Sequence, residues 1–154
     1  ECKVKGLPIG LGEPFFDSTE SIISHLLFSV PAVKGVEFGG GFDLSKKTGS
    51  TANDSLYYDG EEVKFKSNNT GGINGGISNG MPVIFRTAVR PTPSIFKEQM
   101  TVSLSKMENT SLTIEGRHDP AIVHRARAVQ DAATAIVICD MLAMRFGTDW
   151  INEL

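Results

Sequence analysis

Between residues 128 and 145 apolar side chains cover nearly the whole circumference of a predicted helix: Ala132, Ala133, Ile136, Val137, Ile138, Met141, Leu142 and Met144. A helix with one apolar stripe needs one neighbour, whereas a helix apolar nearly all round is expected to be buried on more than one side. The apolar run from Ala132 to Met144 is interrupted by Asp140 and falls short of the roughly 20 residues that cross a bilayer. It reads as a core helix, and a core helix of this kind demands layers on either side of it.

The order of the other elements says which layers. Asp17 followed by Glu20 resembles a capping box, and Ile22, Ile23, Leu26, Leu27 and Val30 recur at helical spacing. A helix is therefore predicted over 18–30, stopped by Pro31. Residues 32–38 read as a short strand closing on the triple glycine Gly39 to Gly41. The stretch 43–70 is polar and reads as loop, with one short strand at 62–65. From Met81 to Arg90 the alternation sets Val83, Phe85 and Val89 on one face and Arg86, Ala88 and Arg90 on the other, the period of a half-buried strand. Strands at 100–105 and 111–115, joined across Glu108 and Asn109, form a predicted hairpin, and the chain turns at Gly116 and Pro120 before the core helix. Runs of strands around such helices imply an α+β fold, not the alternating order of a doubly wound sheet.

With 154 residues, 40% apolar and 21% charged, the chain is expected to be one ordered domain, 1–154, with a core that needs neither disulfide nor metal. The net charge of −3 and the scattered Lys and Arg residues argue against a nucleic-acid partner, which requires a concentrated positive face. Cys2 and Cys139 stand far apart with no Cys/His spacing for zinc, so reduced thiols, a cytoplasmic setting and no metal are expected. No membrane partner is expected either. The start ECKVKGLPIG has neither an initiator Met nor a signal-peptide pattern, and it reads like a chain entered part-way along.

Three segments could carry chemistry. Thr70 to Gly80, TGGINGGISNG, is rich enough in glycine for its amides to approach a flat or anionic ligand. It lacks the Lys-Ser/Thr of a phosphate loop and is followed by a strand, so neither nucleotide fingerprint fits, and by itself the segment reads as a glycine-rich surface turn ahead of a binding loop. Arg90 to Ile95, RPTPSI, leaves the best strand along two prolines. It offers the Arg90 guanidinium with the Thr92 and Ser94 hydroxyls to a phosphate or carboxylate, or simply ends a strand. Gly116 to Pro120, GRHDP, places Arg117 to grip an anion and Asp119 to accept a proton, with His118 a weaker base, or else makes a capped turn with an Asp–Arg pair. His25 reads as structural. His124 reads as either a core or a supporting residue, with Arg125 and Arg127 adding charge nearby.

Taken together, GLPIGLGEPFFD (6–17), VPAVKGVEFGGGF (30–42), TGGINGGISNG (70–80), RPTPSIF (90–96) and GRHDPAIVHRA (116–126) resemble chorismate synthase, in family order over nearly the whole chain. The resemblance implies the C-terminal portion of a cytoplasmic, homotetrameric lyase with a layered β-α-β sandwich. Such an enzyme converts 5-enolpyruvylshikimate 3-phosphate to chorismate by 1,4-elimination of phosphate and requires reduced FMN without net oxidation. It implies flavin contacts at Ala32, Gly75, Arg90, Pro91, Thr92, Pro93, Ser94 and Arg117, with Asp119 for proton transfer and Arg117 second. Three residues depart from the family's habit: Pro31 where Asn is frequent, Arg90 where Lys is, and Asp131 where Glu is. The Gly-Glu-Ser-His-Gly stretch, a second histidine and an Arg-Ser flavin loop of the family have no counterpart here. These 154 residues alone are accordingly expected to bind FMN weakly and to turn over nothing. Competing expectations are a non-catalytic flavin- or anion-binding module and a subunit-packing domain.

Overall fold

A computed structural model describes residues 1–119 and 121–148. The chain opens on strand β1 (Cys2–Val4), crosses a glycine-rich segment, and enters helix α1 (Thr19–Ser29) and strand β2 (Val33–Phe38). A 3-10 helix (Gly41–Lys46) and the short α2 (Gly49–Ala52) follow. Two small hairpins come next, β3 (Leu56–Tyr58) with β4 (Val63–Phe65) and β5 (Ile73–Asn74) with β6 (Ile77–Ser78). Strand β7 (Val83–Val89), the hairpin of β8 (Gln99–Ser103) with β9 (Glu108–Leu112), and helix α3 (Val123–Phe146) complete the order.

The main sheet has the order β1-β7-β2, antiparallel throughout, so its central strand is the last of the three in sequence. Phe85 faces both Cys2 and Phe38, and a register shift between Val33 and Gly35 bends β2 where it leaves α1. The predicted alternation of β7 holds: Val83 and Phe85 are fully buried, whereas Arg86, Ala88 and Arg90 are exposed. Their buried partners are Ile23 and Leu27 of α1 and Val137, Ile138 and Met141 of α3, with Leu11 and Ile73 closing the cluster. Each such side chain contributes about 2 kcal/mol by leaving water. The result is an α+β arrangement of one sheet under two helices.

α3 corrects one expectation. Its inward residues Ala133, Thr134, Val137, Ile138 and Met141 are buried, but Ile136 and Met144 are each 64% exposed, so within this chain the helix is covered on one side only. It also starts at Val123, ahead of residue 128, because its charged first turns carry no apolar period to announce them.

Other boundaries shift for local reasons. Ser18, not Asp17, caps α1, its hydroxyl accepting the Ser21 amide at 3.1 Å. The polar stretch 43–70 contains a 3-10 helix, a helical turn and a complete hairpin, the last resting on only three residues a strand. In the β8–β9 hairpin, Glu108 and Asn109 belong to the strand. The reversal occurs earlier, at residues 104–107, with Met107 at a φ of 54°.

Candidate functional site

α1 separates the sequence-predicted site residues into two groups. Eleven helical residues span about 16 Å. Gly75 lies at the helix's N-terminal end and Ala32 just past its C-terminal end.

At the C-terminal end, Pro31 forces the chain out of the helix and Ala32 takes a left-handed conformation, φ 72°, unusual for a residue with a Cβ. That twist aims the Ala32 carbonyl at the end of β7, where it accepts the Arg90 amide at 2.7 Å. A cleft of about 310 Å³ opens there, walled by Ala32, Lys34 and the run Arg90 to Pro93, with Ile122 at its side. Ile122 is the N-cap residue of α3 and supplies no side-chain cap, so first-turn amides of a 24-residue helix stand beside the cleft with their positive dipole end. Among the described residues neither Lys34 nor Arg90 has a carboxylate partner. The Thr92 hydroxyl oxygen is buried without a hydrogen bond. Two unpaired cations, a helix N-terminus and an unmet hydroxyl make a place for an anion.

Ser94, Arg117 and Asp119 do not line this cleft. Arg117 is exposed. Asp119 is paired twice with Arg125, Oδ2 to Nη1 at 2.9 Å and Oδ1 to Nη2 at 3.3 Å, and its side chain is 47% exposed. The pairing foreseen within GRHDP therefore exists, but its arginine comes from the first turn of α3. His118 folds back through Nε2 to the Ile114 carbonyl at 3.1 Å, which leaves it a local structural role. Asp131 meets the Cys2 thiol at 3.7 Å, and burial pushes that thiol's pKa up.

At the N-terminal end of α1, Gly75 and Gly76 are the two central residues of the β5–β6 hairpin turn, with φ of 58° and 84°, the pair of positive values that a type I′ turn requires. The surface turn read from this segment is thus the tight turn of a hairpin. A Cβ on Gly75 would meet nothing within 4 Å, so its tip is open to a ligand or partner, whereas Gly76 gives its carbonyl to the Thr19 amide at 2.8 Å. Ser78 is fully buried and holds Leu11 N at 2.9 Å and Pro8 O at 2.7 Å, while the Thr19 hydroxyl takes Leu11 O at 2.9 Å. GLPIGLGEP and GGISNG are in this way stitched together, beside a cleft of about 370 Å³ that includes Gly12, Glu13 and Arg145.

A third cluster escaped the sequence. Asp54 Oδ1 accepts from Ser67 Oγ at 2.6 Å, Asn69 N at 2.7 Å and Asn69 Nδ2 at 3.0 Å, and Oδ2 accepts from Thr70 N at 2.9 Å. Burial alone would push its pKa up, but the combined donors outweigh it and hold the carboxyl at about 2. Lys34 was also missed. The signal available was only a cation two residues beyond Ala32.

A family model of chorismate synthase matches residues 1–143. The chain belongs to the chorismate synthase family. It is 53% identical to the chorismate synthase of Dehalococcoides mccartyi strain BAV1 over 147 residues, covering 96% of this chain and 40% of that protein. To the chorismate synthase of Archaeoglobus fulgidus it is 45% identical over 145 residues, 94% of this chain and 40% of the relative. A crystal structure of chorismate synthase superposes with a TM-score of 0.73 at 30% identity, over 97% of this chain and 38% of that one. The chain therefore spans about two-fifths of the length of these members of the family. Among the described residues no helix is long and apolar enough to cross a membrane, and no group of His, Cys, Asp and Glu could hold a metal ion.

Proposed function

We propose that this chain supplies the anion-gripping part of a reduced-FMN site in a lyase that forms chorismate from 5-enolpyruvylshikimate 3-phosphate by 1,4-elimination of phosphate. The observation that carries the reading is the cleft at the end of β7, where Lys34, Arg90, the N-terminus of α3 and the partnerless Thr92 hydroxyl converge. These groups fit a phosphorylated flavin: its phosphate suits the cations and amides, and its polar ring edge suits the Thr92 hydroxyl. When bound, reduced FMN supplies electron density that the substrate borrows and returns. The prolines of RPTPS keep the wall stiff, and Ala32 keeps the backbone close.

Asp119 is assigned to proton transfer, with Arg125 orienting its carboxylate. In the exposed position it occupies here water would compete with that role, so the reading includes a covering surface, from the rest of the polypeptide or from a second subunit of a tetramer. Gly75, about a helix length away, would serve the same flavin only across such a surface. Arg117, exposed and without an ion-pair partner among the described residues, would need the same covering surface to reach it. A cytoplasmic location and the absence of nucleic-acid partners accompany this reading.

The test is anaerobic turnover with reduced FMN, coupled to flavin fluorescence titration. The 154 residues alone should bind FMN weakly and form no chorismate. Chorismate formation by them at the rate of an intact relative would overturn the division of labour proposed. A packing role is favoured by one specific observation, the exposed Ile136 and Met144 of α3, and unchanged FMN emission on titration would support it instead.

A further inference from the structure

The Asp54 carboxylate has no place in the cleft chemistry, yet it is among the most heavily hydrogen-bonded side chains of the molecule. Every group that touches it is a donor: the Ser67 hydroxyl, the Asn69 amide and side-chain NH2, and the Thr70 amide. Lys47 Nζ holds the far side of Asn69 through Oδ1 at 2.7 Å, and Asn68 Nδ2 ties the same stretch to the Pro82 carbonyl at 2.8 Å. From this anchor the chain runs straight into the hairpin. The Asn69 carbonyl accepts the Gly40 amide at 2.8 Å, the Gly71 carbonyl accepts Ile84 N at 3.1 Å, and the Gly72 carbonyl accepts Asn79 N at 3.0 Å. Gly39 passes so close that an added Cβ would lie 2.5 Å from Gly71 N. The base of β5–β6 is thereby fixed against β7 and the glycine turn after β2, and its tip is Gly75.

We infer that Asp54 is a positioning residue for the Gly75 hairpin: it gathers the amides of residues 69 and 70 so that β5–β6 leaves the sheet at one angle. The inference rests on the proposed flavin role of the Gly75 tip for its functional meaning, but its structural content stands apart. The carboxylate suits the task because it offers only acceptors to four donors. An amide in its place would turn an NH2 toward one of them, leaving two donors facing each other.

Three variants test this in the intact protein: Asp54→Asn, Ser67→Ala as a milder cut of the same anchor, and Asp59→Asn as the control. Asp59 is a similar carboxylate, holding the Glu61 and Glu62 amides of the neighbouring β3–β4 turn without reaching residues 67–80. Hydrogen exchange should quicken about tenfold at residues 69–76 in Asp54→Asn and less in Ser67→Ala, with residues 85–89 of β7 unchanged and Asp59→Asn like the wild type. FMN affinity should fall about tenfold in Asp54→Asn and stay level in Asp59→Asn. Unchanged exchange at 69–76, or an equal rise across β7, would overturn the inference, the second outcome meaning a general structural role. A wild type that takes up no FMN would instead overturn the proposed function, with hydrogen exchange still deciding the role of Asp54.

Discussion

The two ends of α1 are built on opposite principles. At its N-terminal end, buried Ser78 and Thr19 satisfy the backbone of residues 8–11 from within the chain, the Gly76 carbonyl accepts the Thr19 amide, and glycines let the strands touch. At its C-terminal end, among the described residues, Lys34 and Arg90 stand without carboxylates and the Thr92 hydroxyl has no partner. The first end spends its polar groups on itself. The second keeps them for something else, which is the distinction between a scaffold and a binding surface.

The comparison breaks most easily at the closed end. Gly12→Ala should cost about 3 kcal/mol or more in denaturant unfolding, because φ is 99° and the new Cβ would sit 2.5 Å from the Gly76 carbonyl. Ser78→Ala leaves Leu11 N and Pro8 O buried and unmatched, for about 2–3 kcal/mol by the same measurement. Asp54→Asn should act locally at pH 7, as about tenfold faster exchange at residues 69–76. Its carboxyl is lowered from 3.8 to about 2 on folding, so the stabilisation is complete above about pH 4 and disappears as pH falls toward 2. Exchange at residues 69–76 should converge for wild type and variant across that window. At the open end Arg90→Gln should change stability by no more than about 0.5 kcal/mol while weakening FMN about tenfold, read by calorimetry. Arg125→Ala, which removes an exposed ion pair, should alter stability by about 0.5 kcal/mol or less. A large stability loss from Arg90→Gln would erase the distinction between the two ends.

Strong periodicity was legible: α1 and β7 stand where helical spacing and alternation put them, because their side chains face one core, and β2 stands where its β-branched run closes on the triple glycine. α3 was legible as apolar, but its start was not, since Ile122 and the charged turn after it announce neither cap nor stripe. Residues 43–70 hid a hairpin because Leu56–Tyr58 and Val63–Phe65 are too short to show a period and are mostly exposed. Of the site, RPTP and Ala32 could be read as neighbours through the resemblance, and they share a cleft. The distance between Gly75 and that cleft, and the gathering of residues 67–70 around Asp54, depend on long-range contacts that no local pattern encodes.

The central position of β7 sets the order in which this chain can acquire its structure. Among the described residues β1 and β2 pair only with β7, which is the third of them to be made, so during synthesis some eighty residues pass before these two strands gain their shared partner. Closing so long a loop slows the acquisition of native contacts. Until Val83 and Phe85 are made, Ile23 and Leu27 of α1 lack the buried partners that β7 gives them.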